Sequence, residues 1–192
     1  RRANVELRHL MRRQDNYFGG LEEQARGILR AVDHPGGPLP QRTASDIAAH
    51  LGFSLHYVAD LPASTRSVAD IKNGRLYLSS TVPAKGDSRT AVLQALASRI
   101  LGHSEPHSYA EFLRQRVETN YLTGALLIPE DHAVPVLQEA KARRAISIED
   151  LRDAYSVSYE TAAHRFTNLA TQHLGIRVHF LKVHESGTIT KA

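Results

Sequence analysis

From Asp33 to Pro40 the chain reads Asp-His-Pro-Gly-Gly-Pro-Leu-Pro. Three prolines and two glycines in eight residues exclude a helix interior and a central strand, because proline lacks an amide donor and clashes with the preceding turn. An element must end before this segment and a new one must start after it. We therefore divide the chain into an N-terminal helical segment (1–33), a linker (34–42) and a main domain (43–192). A length of 192 residues suits one domain of ordinary size with a small appendage, and 42% hydrophobic residues supply its core.

Composition narrows the classes of function. No run of about 18 apolar residues is present, so no membrane-spanning helix and no membrane partner are expected. The chain has no cysteine. That removes thiolate metal sites and iron–sulfur ligation and points to the cytoplasm. It begins at Arg1 without a signal-type apolar region, as expected of a piece of a longer polypeptide. A net charge of +4 fits an anionic partner such as DNA, RNA or a phosphorylated ligand, and equally an ordinary solvated surface. The eleven histidines are scattered, without metal-site spacing beyond the lone His103.

Periodicity gives the elements. Residues 4–32 read as helix interrupted at Asn16-Tyr17-Phe18-Gly19-Gly20, with Leu21, Ala25, Ile28, Leu29 and Val32 as one apolar stripe. A helix over 43–51 is expected to be capped by Thr43 or Ser45 and stopped by Gly52. Leu55–Val58 reads as a strand. Val68–Ile71 and Arg75–Ser79 read as strands joined by a Lys72-Asn73-Gly74 turn. Helices follow over 88–102 and 108–127, the latter ended by Pro129. Three more are expected at 133–142, at 148–154 behind a Ser147 cap, and at 159–171. His179–Val183 reads as a last strand. The fold class is α+β: a small, mostly antiparallel sheet with packed helices, preceded by a helical segment.

One helix carries a chemical signature. A zinc-peptidase helix needs His-Glu-x-x-His: two histidines on one face grip the metal and the glutamate polarises water. Here Arg99-Ile100-Leu101-Gly102-His103 keeps only the second histidine. Guanidinium cannot ligate zinc and isoleucine cannot act as a base. The core is therefore read as a degenerate zincin whose function is binding, with no catalytic residue and no metal in this segment.

The order of pieces from Thr43 to Leu174 resembles the ImmA/IrrE-like, metallopeptidase-related domain family. The carriers are Leu51-Gly52-Phe53, the Asn-Gly hairpin, Arg99–His103 where the family has His-Glu-Leu-Gly-His, and Glu118-Thr119-Asn120-Tyr121 leading to Leu126-Leu127-Ile128-Pro129. The terminal helix pair with Ala163-His164-Arg165-Phe166 also carries the likeness. Glu118 lies near the family's third zinc ligand. The broken motif, Asn16-Tyr17-Phe18 and Leu93–Arg99 are similar to the short-chain fatty acyl-CoA transcriptional regulators of the PrpR/RamB type. That resemblance implies a central domain sensing CoA or a short-chain acyl-CoA, such as propionyl-CoA, to control short-chain fatty acid metabolism genes. DNA would be read by a helix-turn-helix outside this segment, and a homodimer would suit this organisation. The alternatives are a metalloprotease of the same type that cleaves a repressor, and a DNA-binding or protein-interaction module without a small ligand.

Candidate ligand residues follow. Arg99 and His103 lie one helical turn apart. Arg99 meets a thioester carbonyl or phosphate, or else pairs with Glu118. Tyr121 shares a helix face with Glu118. Tyr17 and Phe18, with Arg12 and Arg13, either stack on adenine and hold phosphates or pack in the core. Lys72 with Arg75, or Arg143 with Arg144, either bind a 3′-phosphate or stay solvated. The 147–169 pair either reads DNA through His164 and Arg165, or packs on the domain with Arg165 facing the cleft or the surface.

Overall fold

Asp15 and Asn16 take left-handed backbone angles (φ 50° and 56°) and cut the N-terminal helical stretch into α1 (Arg2–Arg13) and α2 (Gly19–Ala31). The computed structural model describes residues 2–62, 65, 67–80, 87–178, 181–183 and 189–191. The apolar stripe of α2 buries Ala25, Ile28 and Leu29. The proline-glycine segment then leads into α3 (Gln41–His50). Pro40, not Thr43 or Ser45, is the N-cap of α3, and the Ser45 hydroxyl instead donates to the Gln41 carbonyl inside the helix. A fixed proline φ just ahead of a helix serves where the first amides lack intrahelical partners.

Three strands follow: β1 (Ser54–Val58), β2 (Ser67–Asp70) and β3 (Arg75–Ser79). Their order is β1-β3-β2, with β1 parallel to β3 and β2 antiparallel to it. Leu76 and Leu78 of the central strand face the core. The β2–β3 turn occupies 71–74, where the Asp70 carboxylate accepts from the backbone amide and the side chain of Asn73. Gly74 sits at φ +60°, and a β-carbon there would lie 2.5 Å from the Gly52 carbonyl oxygen. Its own carbonyl accepts from the Ser54 amide at 2.8 Å, so this glycine ties the turn to the start of β1.

The helical layer is α4 (Ser88–Ile100), α5 (Tyr109–Leu127), α6 (Glu130–Ala142), α7 (Ile148–Tyr155) and α8 (Tyr159–Leu169), closed by a π-helical turn over Ala170–Leu174. Helix α6 starts at Glu130, earlier than the expected Ala133. Pro129 is its N-cap, and Glu130 and Asp131 place negative charge on the positive end of the helix dipole. Ser108, Ser147 and Ser158 cap α5, α7 and α8 by accepting from the amides of Glu111, Asp150 and Thr161. β4 (Leu181–Val183) pairs antiparallel with β5 (Ile189–Lys191). His179 and Phe180 of the expected last strand lie outside the described residues. The three-stranded sheet is mixed, with one parallel and one antiparallel pairing among the described residues, and the class is α+β.

One contiguous set of buried side chains draws on α2, Leu39, α3, β3 and α4 to α8. Val92, Leu93, Leu96 and Ala97 of α4 and Leu122, Ala125, Leu126 and Leu127 of α5 are its centre, each at most 1% exposed. Arg89 pins the proline-glycine segment to this core by donating to the Leu39 carbonyl at 2.6 Å and to the Ser156 carbonyl. Helix α8 buries six of its eleven residues, Arg165 among them. A helix so embedded cannot present Arg165 to a DNA groove. That corrects the part of the DNA-reading version of the 147–169 pair that rests on Arg165, which faces neither solvent nor any surface, while His164 stays part-exposed.

Candidate functional site

A buried ion pair organises the centre of the molecule. The Arg165 guanidinium donates to both oxygens of Glu22 at 2.6 and 2.9 Å, and its Nε donates to the Ile128 carbonyl at 2.9 Å. Their side chains are 0% and 3% exposed. Burial alone would strip charge from the guanidinium, but the hydrogen bond and charge of Glu22 outweigh it and hold Arg165 firmly protonated. The Tyr121 hydroxyl donates to Glu22 at 2.6 Å and accepts from the Phe18 amide at 3.1 Å. Burial raises the Tyr121 pKa well above the usual phenol value, with Glu22 adding to it. The rings of Phe18 and Tyr121 meet edge to face, 5.1 Å between centroids.

A second carboxylate, Glu130, gathers three elements. It accepts from the Tyr17 hydroxyl at 2.6 Å, from Arg26 of α2 at 3.3 Å, and shares a hydrogen bond with His173 of the π-helical turn. Burial, then Glu130, raises the Tyr17 pKa. Arg26 also holds Asp131 through two hydrogen bonds, at 2.9 and 3.0 Å. Asn168 donates to the Asn16 carbonyl and Asn16 donates to Thr167, so residues 16–18 are clamped to α8 as well.

His103 and Glu118, which the resemblance sets at zinc-ligand positions, form a separate group. His103 Nε2 and Glu118 Oε2 lie 2.6 Å apart, so the two surviving zinc-ligand positions of the resemblance do converge and are bonded to each other. His103 Nδ1 is buried without a hydrogen-bond partner among the described residues. Arg99 does not pair with Glu118, which corrects that alternative. Glu118 faces His103 and, at 3.9 Å, Arg114. The exposed Arg99 guanidinium lies 5.9 Å from the Phe53 ring centroid. It borders an open groove of about 460 Å³ with Gln24, Gly27, Ile28, His50, Leu51 and Ile100. Among the described residues, no three His, Cys, Asp or Glu side chains are arranged to hold a metal ion.

On another face of α2 lies a cleft of about 200 Å³ between α2, the proline-glycine segment and the start of α6. Its lining includes Glu22, Ala25, Arg26 and Leu29 of α2, His34 of the segment, and Glu130 of α6. His132 shares a 2.7 Å hydrogen bond with the Tyr155 hydroxyl, whose pKa burial pushes up to about 12. Burial lowers the His34 pKa, and among the described residues His34 Nε2 is buried without a partner.

The structure thus divides the candidates. Tyr17, Phe18, Tyr121 and Arg165 meet around Glu22 and Glu130. Arg99 stands at the groove, and His103 and Glu118 pair beside α5. Arg12 and Arg13 end α1, and their side chains lie outside the described residues. Lys72, Arg75, Arg143 and Arg144 are exposed. Glu22, Arg26, His34 and Glu130 were missed by sequence reasoning. Glu22 had a signal: it stands at the spacing 22, 25, 29 on the stripe of α2 that otherwise buries alanine and leucine.

No family model and no curated protein matches the chain. Among solved structures, it is similar to a Mycobacterium tuberculosis transcriptional regulator, with a TM-score of 0.73 at 20% identity over 97% of this chain. The chain spans 58% of the length of that structure, and the two share this α+β fold.

Proposed function

We propose that this chain is the effector-sensing domain of a transcription factor, without peptidase activity, and that its effector is CoA or a short-chain acyl-CoA such as propionyl-CoA. The observation that carries this reading is Arg99. The resemblance sets it where a zinc-peptidase helix has its first ligand; among the described residues its guanidinium has neither an ion pair nor a hydrogen bond, and it borders the groove. A permanent cation beside Ile28, Leu51 and Ile100 suits a phosphate or thioester carbonyl next to a short acyl chain. The groove is open, which suits a ligand that lays part of its length along the surface, and the 200 Å³ cleft is too small to enclose a coenzyme. Ligand binding would shift the population of domain states and so the DNA affinity of the parts of the protein that read DNA. The fold shared with a transcriptional regulator supports this assignment.

Calorimetric titration of wild type and Arg99→Ala with propionyl-CoA tests the reading. A charge-assisted hydrogen bond contributes roughly 1.5–3 kcal/mol. The substitution should therefore weaken binding about ten- to a hundredfold. An unchanged dissociation constant in the folded variant removes Arg99 from the site and the reading with it.

A further inference from the structure

The α2–α6 cleft shares no lining residue with the Arg99 groove. We propose that this cleft is a second ligand site, built for a small zwitterion of the α-amino-acid class. Three properties of its walls lead there, beginning with depth. The inner end is formed by Glu22 at 3% and Glu130 at 9% exposure, and the mouth by Arg26 and Asp131, whose side chains are 26% and 64% exposed. Arg30, also exposed, completes the lining on that side.

The inner end offers acceptors. Glu22 Oε2 receives one hydrogen bond, from Arg165, and Glu130 Oε2 receives one long one from Arg26, so each keeps an unused lone pair. His34 Nε2 is buried and has no partner among the described residues, and burial disfavours the charged form of the ring, so this nitrogen can accept a hydrogen bond. A buried acceptor without a donor is costly. An ammonium group, with three donors and a positive charge, complements all three. The mouth offers a cation. Arg30 makes no hydrogen bond or ion pair among the described residues, in contrast to Arg26, which is taken up by Glu23, Glu130 and Asp131. Arg30 can therefore receive a carboxylate, and its charge is already felt by Asp131. Between the two ends, Ala25, Leu29, Ala125 and Pro129 leave an apolar wall for a short aliphatic side chain.

Other occupants fit less well. A simple anion would meet Glu22 and Glu130 at the inner end. A simple cation would leave Arg30 unanswered. The carboxylates here, with His34 and His132, do not form a metal-holding group among the described residues. At about 200 Å³ the cleft equals roughly six or seven water volumes of about 30 Å³ each. That is the size of a small amino acid.

The test is a calorimetric and thermal-shift panel of the standard L-amino acids against the whole chain. Propionate, propylamine and lactate are the controls that lack the ammonium, the carboxylate, or carry hydroxyl in place of ammonium. The proposal expects saturable binding by at least one small aliphatic amino acid, with each control weaker by about tenfold or more. Arg30→Gln, an exposed change that leaves the core untouched, should weaken the amino acid about tenfold and leave propylamine and propionyl-CoA unaffected. Absence of saturable binding across the panel overturns the proposal, as does lactate binding as tightly as alanine. So does an amino-acid affinity that Arg30→Gln leaves unchanged. Failure of acyl-CoA binding would bear on the Arg99 groove alone, because the two sites share no residue.

Discussion

Glu22 and Arg165 are both charged and both buried, and each is tolerable only because the other is present. Breaking a buried pair by removing one partner costs about 3–5 kcal/mol, whereas replacing both with apolar side chains of similar volume is often close to neutral. Arg165→Met should therefore lower unfolding free energy by about that amount, and the double change Glu22→Met with Arg165→Met should recover most of it. Urea denaturation measures both, and equal losses in the two proteins would contradict the pairing. His34 makes a pH-dependent contribution of a different kind. Its folded pKa is depressed, by burial first, below the free histidine value of about 6.5. Below that pH the unfolded chain takes up the proton more readily, so stability is full above about 6.5 and declines as pH falls through the folded value. Melting temperature should drop as pH falls below about 6.5, and His34→Gln should flatten the profile. An unaltered profile in the variant would assign the drop to other groups. Tyr17, Phe18, Tyr121 and Arg165 stood out in the sequence as aromatic and basic positions within recognisable motifs. That they meet around Glu22 was not legible, because the pair joins residues 143 apart and no local period encodes that.

At the level of elements, local chemistry was a good guide where it acts locally. Ser147 was legible as a cap, and the hairpin was legible from Asn73-Gly74. Gly74 is the strictest position of that hairpin, since its φ of +60° and the nearby Gly52 carbonyl both exclude a side chain. Gly74→Ala should cost at least about 1–2 kcal/mol from backbone conformation alone. The steric conflict with Gly52 adds to that. Thermal unfolding checks it, and a neutral effect would mean that the turn relaxes without disturbing β1. The two helices of the 147–169 pair were legible too, but not which face α8 buries, because Ala162, Ala163 and Phe166 give an apolar stripe compatible with either packing. The start of α6 was displaced because proline was read as an end when it also serves as a cap. The π-helical turn over Ala170–Leu174, which brings His173 to Glu130, leaves no periodic mark in so short a stretch.

For the molecule as a whole, α2 is the shared wall. Gln24, Gly27 and Ile28 line the groove with Arg99, while Glu22, Ala25, Arg26 and Leu29 line the cleft with α6. The sequence pointed to Arg99–His103 through its resemblance to a zinc-peptidase helix. It did not show that the helix before the proline-glycine segment lines both concavities, because that depends on packing between distant elements. The central claim is that this fold binds an acyl-CoA effector and does not hold a hydrolytic zinc ion. The direct measurement is the unfolding free energy of the metal-analysed chain with and without propionyl-CoA. With ligand held at about 100 times its dissociation constant, stability should rise by roughly 2.7 kcal/mol, with no stoichiometric zinc in the protein. No stabilisation by CoA or any short-chain acyl-CoA would contradict the claim, and so would near-equimolar zinc with chelator-sensitive peptide cleavage.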